Sequence, residues 1–151
     1  MATIIEEKLP AGEYLIIDLC YVMHKEWKEI CNIICANDFD SNSAILKLDD
    51  GRIIAMAFTK YGDGEYYDQN GKRYGVDAGL IGAILLSDVS EEEQSNIKLG
   101  NVYTLNEFSP VYNNGKLSFD SIVINTDEEE EEDDYWSDDY DTFDYDSDRE
   151  L

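Results

Sequence analysis

Residues 127–134 read DEEEEEDD, eight carboxylates in succession. No core can form around such a run, because burying each charge without a partner costs far more than local packing returns. Aliphatic residues then vanish until Leu151, and residues 127–151 hold 15 acidic side chains against one basic, Arg149. The fold must therefore be made by residues 1–126, a length that suits one domain. Of the 35 Asp and Glu and 11 Lys and Arg in the 151-residue chain, 20 and 10 remain for that body, so the body is acidic as well. A field of this sign repels phosphates and anionic headgroups, which argues against direct binding to nucleic acid or a membrane and favours basic proteins and cations.

The N-terminus, MATIIEEKLP, carries acids where a signal peptide has a basic flank. The longest apolar stretch, about Leu80 to Leu86, falls far short of the ~20 residues that span a bilayer. Three cysteines, Cys20, Cys31 and Cys35, form an odd set in one region, as expected of a reduced compartment rather than a disulfide framework. A cytoplasmic location is the expectation.

Along the body, Glu13–Leu19 is rich in aromatic and β-branched residues and reads as a strand. From Val22 to Cys35 apolar residues recur at Met23, Trp27, Ile30, Cys31 and Ile34, which predicts an amphipathic helix. Asp49-Asp50-Gly51 joins strands at Ala44–Leu48 and Arg52–Thr59, and Gln69-Asn70-Gly71 joins Glu65–Asp68 to Lys72–Asp77, both hairpin signals. Gly79–Leu86, Val102–Glu107 and Lys116–Ile124 read as further strands, the last introduced by Asn113-Asn114-Gly115. Ser90-Glu91-Glu92-Glu93 has the form of a capping box. About eight short, mostly antiparallel strands around one helix predict an α+β domain, a strongly bent sheet or small barrel.

The segments Tyr61–Asp68 and Val76–Gly82 concentrate Gly, Asp and Tyr. Asp63, Asp68 and Asp77, joined by Asp18 from the first strand, are the candidates for a Mg²⁺ or Ca²⁺ site. The EF-hand spacing is absent, and turns account for most of these residues, so the structural reading is the stronger one. Cys20, His24, Cys31 and Cys35 offer four zinc ligands, but on a helix over 22–35 His24 and Cys31 stand about 10 Å apart, too far for one tetrahedral ion. The cysteines read instead as small apolar side chains. No phosphate-binding Gly loop, Gly-x-Ser-x-Gly elbow or His-Glu-x-x-His helix occurs. No cofactor is expected beyond a divalent cation.

The acidic segment combines charge with anchors. Asp127, Glu128, Glu129, Glu130, Glu131, Glu132, Asp133 and Asp134 precede Tyr135, Trp136, Tyr140, Phe143 and Tyr145, which alternate with Asp138, Asp139, Asp141 and Asp144. A solvating tail has no use for five aromatics, which concentrate binding energy at interfaces. Extended residues advance ~3.3–3.6 Å, close to the ~3.4 Å between phosphates on one DNA strand. The segment is therefore the candidate partner-binding site, aimed at a basic groove.

Gly12–Tyr21 (GEYLIIDLCY), Trp27, Thr59–Tyr66 (TKYGDGEY), Asp68, Gly71, Tyr74 and Val76–Gly82 (VDAGLIG) together resemble a group of small uncharacterised proteins of tailed bacteriophages and some bacteria, over roughly residues 9 to 126. The acidic tail is an addition to that pattern. The resemblance implies no activity, only a phage setting, in which small acidic proteins often occupy a host protein: restriction enzymes, CRISPR effectors, nucleoid or transcription proteins. The expectation is a non-enzymatic interaction protein whose tail occupies a basic host protein that binds nucleic acid. The alternatives are a metal-assisted hydrolase or nucleotide-binding protein using the aspartate cluster, and a virion or replication assembly component.

Overall fold

The computed structural model describes residues 2–37 and 42–127. Strands β1 (Thr3–Ile5), β2 (Gly12–Ile17), β3 (Ser43–Lys47), β4 (Ile53–Phe58), β7 (Leu80–Leu85) and β8 (Asn101–Leu105) form one antiparallel sheet in the order β1-β3-β4-β7-β2-β8. Strands β5 (Gly64–Asp68), β6 (Arg73–Val76), β9 (Pro110–Asn113), β10 (Lys116–Phe119) and β11 (Ile122–Asn125) form a second, in the order β6-β5-β11-β10-β9. The α+β class is as expected, but the strands make two open sheets rather than a barrel.

Three layers explain the apolar pattern. One core lies between the sheets, with Tyr14, Ile16, Ala57, Ile81 and Ala83 facing Tyr66, Tyr74, Leu117, Phe119 and Ile124. A second lies on the other side of the six-stranded sheet, where Leu15, Ile17, Ile54, Met56 and Ile84 are covered by Leu19, Val22, Met23 and Ile30, with Trp27 and Ile34 packed against them. Strands β2, β4 and β7 are thus buried on both faces and read as nearly continuous apolar runs, LII, IIAMAF and LIGAIL. Gly82 sits in the third of these because a Cβ there would lie 2.5 Å from the Leu19 side chain and 2.6 Å from the Ala55 carbonyl.

The helix α1 spans Trp27–Ala36, not Val22–Cys35. Residues Leu19–Tyr21 form a 3-10 turn capped by Asp18, and Val22 and Met23 are buried from loop positions that mimic helical spacing. The 3-10 segment Glu91–Leu99 replaces the expected capping box: Ser90 makes no side-chain cap, and Glu93 turns instead to His24. Lys116–Ile124 is two strands, because Asp120 adopts φ 58° and Phe119 pairs with Ile122 across a two-residue turn. The sequence pattern does not mark strands β1 and β9; each is short and lies at the edge of its sheet. The turns at Gly51 and Gly71 are three-residue loops with only the glycine at positive φ, whereas Asn114 (φ 52°) and Gly115 (φ 89°) make the two-residue turn that Asn-Gly favours. Among the described residues no helix is long and apolar enough to cross a membrane.

Candidate functional site

The Gly-, Asp- and Tyr-rich segments lie where the chain changes sheets. It leaves β4 for β5 through residues 59–63 and returns from β6 to β7 through residues 77–79, and the two crossings are tied together: the Thr59 amide donates to the Gly79 carbonyl at 3.0 Å. The Thr59 hydroxyl donates to the Gly62 carbonyl (2.5 Å), which also accepts from the Tyr66 hydroxyl (3.0 Å). Asp18, fully buried, reaches this corner from the end of β2. Its Oδ2 accepts from the backbone amides of Asp77 (2.6 Å) and Ala78 (2.7 Å), and its Oδ1 from that of Cys20 (3.1 Å). The Tyr21 hydroxyl donates to Asp77 Oδ2 at 2.7 Å.

Asp68 does comparable work elsewhere. Its Oδ1 accepts from the amides of Asn70 (2.9 Å) and Lys72 (3.0 Å), closing its own hairpin, and its Oδ2 accepts from the hydroxyls of Tyr74 (2.8 Å) and Tyr103 (2.7 Å). Tyr103 belongs to β8, so one carboxylate joins the two sheets. Burial pushes this carboxyl up, but the hydrogen bonds from Tyr103, Lys72, Tyr74 and Asn70 outweigh it and hold the group below its ordinary range; burial first, and then the contact with Asp68, pushes both phenols up.

The structure thus brings Asp18 beside Asp77 but spends Asp18 on backbone amides, engages Asp68 in a separate network, and leaves Asp63 exposed on its turn. Among the described residues no group of three or more His, Cys, Asp or Glu is arranged to hold a metal ion. His24 lies outside α1, with Nδ1 2.9 Å from Glu93 Oε1. Burial first, then the neighbouring Asp18, pushes the Cys20 thiol up to about 12, and burial raises Cys31 as well, so neither is an activated nucleophile. Arg52 lines a cleft of about 380 Å³ with Tyr14, Ile53 and Leu85, but its guanidinium is occupied by Glu26, by Asp50 (Nε to Oδ2, 2.8 Å) and by the Asp88 carbonyl (3.0 Å). An anion would have to displace all three.

The root of the acidic segment is built with equal care. Thr126, fully buried, donates its hydroxyl and its amide to the Gly115 carbonyl, and its Oγ1 accepts from the Lys60 amide at 3.1 Å. Lys60 Nζ then pairs with Asp127 Oδ1 at 2.5 Å, holding that carboxyl below its usual range, and lies 5.6 Å from the centre of the exposed Tyr61 ring. Gly115 is required here twice over: its φ is 89°, and a Cβ would meet Asp127 Cα at 2.9 Å. This clasp connects the end of β11 to the first crossing, so the chain enters the acidic run beside the Tyr61–Gly64 turn. Of the candidate partner-binding residues only Asp127 is among those described; Glu128 to Glu132, Asp133, Asp134, Tyr135, Trp136, Asp138, Asp139, Tyr140, Asp141, Phe143, Asp144 and Tyr145 lie outside them. Sequence reasoning missed Lys60, Gly115 and Thr126 as a unit, since nothing in their spacing reveals that three distant segments converge.

No family model, no curated protein and no solved structure matches the chain.

Proposed function

We propose that the protein is a non-enzymatic interaction protein of phage origin, whose acidic, aromatic tail occupies the basic nucleic-acid-binding surface of a host protein. The observation that carries this reading is the pairing of eight successive carboxylates with five aromatics in one segment. Charge gives rapid capture at long range, and buried aromatic area slows release. The clasp at Thr126, Lys60 and Asp127 supports the reading, because it ties the start of that segment to the body. Of the aspartates on which a metal-assisted hydrolase would depend, Asp18, Asp68 and Asp77 accept hydrogen bonds that hold the crossings and the hairpin, and Asp63 lies exposed apart from them.

The test is affinity capture from bacterial lysate with the full chain and with a chain ending at Asp127, which keeps the clasp. The full chain is expected to retain a basic protein, to release it as salt rises, and to displace DNA or RNA from that protein in a gel-shift assay. Equal capture by the chain ending at Asp127, or capture without displacement of nucleic acid, refutes the proposal.

A further inference from the structure

The six-stranded sheet is wider than the helix that covers one of its faces. Strand β1 forms an edge of that sheet and pairs only with β3. Ile4 stands opposite Leu46 in register, so both side chains point to the helix side. Leu46 is fully buried there, whereas Ile4 is 43% exposed. Between β1 and α1 lies a groove of about 350 Å³, lined by Ala2, Ile4, Ile33 and Ala36 and bordered on the helix by Asn32 and Asn37. The strand itself, Thr3-Ile4-Ile5, carries neither a charge nor a proline to guard its open edge. Ile33 and Ala36 share one stripe of α1 with Glu29, which stands one turn before Ile33. Glu29 Oε2 is buried and has no hydrogen-bond partner among the described residues. A buried acceptor without a donor is costly, so a donor brought by a ligand gains more there than at a solvated carboxylate.

We infer that this groove binds an extended basic peptide of a partner protein, which adds a seventh strand along β1, sets a lysine or arginine beside Glu29 and packs an aliphatic side chain against Ile4 and Ile33. In strand addition of this kind, main-chain bonds to a free edge supply affinity and alternate side chains supply selectivity. The spacing agrees. Glu29 and Ile33 stand about 6 Å apart along the helix axis, and side chains two residues apart on an added strand stand about 6.6 Å apart. A cation and an aliphatic residue separated by one position therefore reach both places. Charge selects this occupant over a second copy of the chain or an acidic peptide, since residues 1–126 hold 20 acidic side chains against 10 basic. Lys47, on the strand next to β1, does not offset this at the groove, because it stands opposite Thr3 and points to the sheet's other face. The inference is independent of the acidic run and of the host-protein reading.

The probe is a capped peptide, STKTVTST, titrated into the isotope-labelled full chain. The amide resonances of Ile4, Asn32, Ile33 and Asn37 are expected to move saturably, and hydrogen exchange to slow at one or more of the Thr3, Ile4 and Ile5 amides. STKVTTST has the same composition but sets its lysine and valine on opposite faces, and STETVTST reverses the charge; each should bind about tenfold more weakly or worse, read from the same resonances. Attraction to the acidic run reads charge alone and treats the two lysine peptides alike. Glu29→Gln should weaken STKTVTST about tenfold while the urea midpoint of the free protein stays equal or rises, because an unpaired buried charge is gone. Ala36→Phe, which fills the groove, should abolish the shifts. The inference is overturned by resonances that do not move at millimolar peptide, by equal binding of the two lysine peptides at these resonances, or by a Glu29→Gln chain that is less stable yet binds unchanged. Groove resonances that move with protein concentration before peptide is added overturn it too, and assign the groove to a second copy.

Discussion

Replacing Asp68 by Ala removes the acceptor for four donors at once, and the structure allows the cost to be apportioned. The Asn70 and Lys72 amides belong to an exposed turn, and Tyr103 is half-buried, so water can take over those three bonds. Losing each to water costs about 0.5–1 kcal/mol. The Tyr74 hydroxyl has no such recourse, its residue being 1% exposed, and an orphaned buried donor costs about 1–3 kcal/mol. The total is about 2.5–6 kcal/mol, a large part of the roughly 5–15 kcal/mol that keeps a domain folded. Asp68→Asn keeps one acceptor oxygen for the turn amides, but its amide nitrogen can only donate to the phenol oxygens, so charge assistance and the acceptor of the phenol hydroxyls are lost, about 2–4 kcal/mol. With a urea slope of about 2 kcal/mol per molar, the midpoint of unfolding should fall by about 1.3–3 M for Ala and by about 1–2 M for Asn. The dependence on pH follows from the depressed carboxyl of Asp68. A group whose folded value lies below its unfolded one stabilises above the unfolded value, about 3.9, and loses that contribution as pH falls through the folded one. The gap between parent and Asp68→Asn should therefore be full at pH 7 and close below about pH 4. Urea titrations of the full chain by circular dichroism measure both effects. An Ala variant within about 1 kcal/mol of the parent, or a gap that widens in acid, refutes the assignment of Asp68 as the link between sheets.

Two more substitutions test the junctions. Asp18→Ala leaves the Cys20, Asp77 and Ala78 amides without their acceptor and should cost about 2–5 kcal/mol in urea unfolding, with faster hydrogen exchange at Asp77 and Ala78. Thr126→Val preserves shape but deprives the Lys60 amide of its acceptor; a loss of about 1–3 kcal/mol and faster exchange at Lys60 are expected.

The α+β class and most strand positions were legible in the sequence because they depend on local pattern. LII, IIAMAF and LIGAIL are apolar at nearly every position, and such short runs have few other ways to fold. The errors arose where tertiary contact overrides periodicity. Met23 has helical spacing from Trp27 yet lies in a loop, buried by the sheet beneath it. The break at Asp120 needs a positive φ that Asp tolerates but does not announce. Asp18, Asp63, Asp68 and Asp77 looked like a ligand set because composition records their number and not their partners; Asp18 and Asp68 proved to be satisfied by backbone amides and phenols.

By itself the sequence determined where the core ends and the acidic run begins, since charge density alone forbids burial of residues 127–134. It also determined the sign of the field any partner must meet. Only the tertiary structure decided that the chain crosses twice between two sheets at one corner, that a buried aspartate fastens that corner, and that Thr126 and Lys60 hold the start of the acidic run beside it. The physical reason is that a hydrogen-bond partner dozens of residues away leaves no trace in local spacing, whereas hydrophobic pattern and charge act residue by residue.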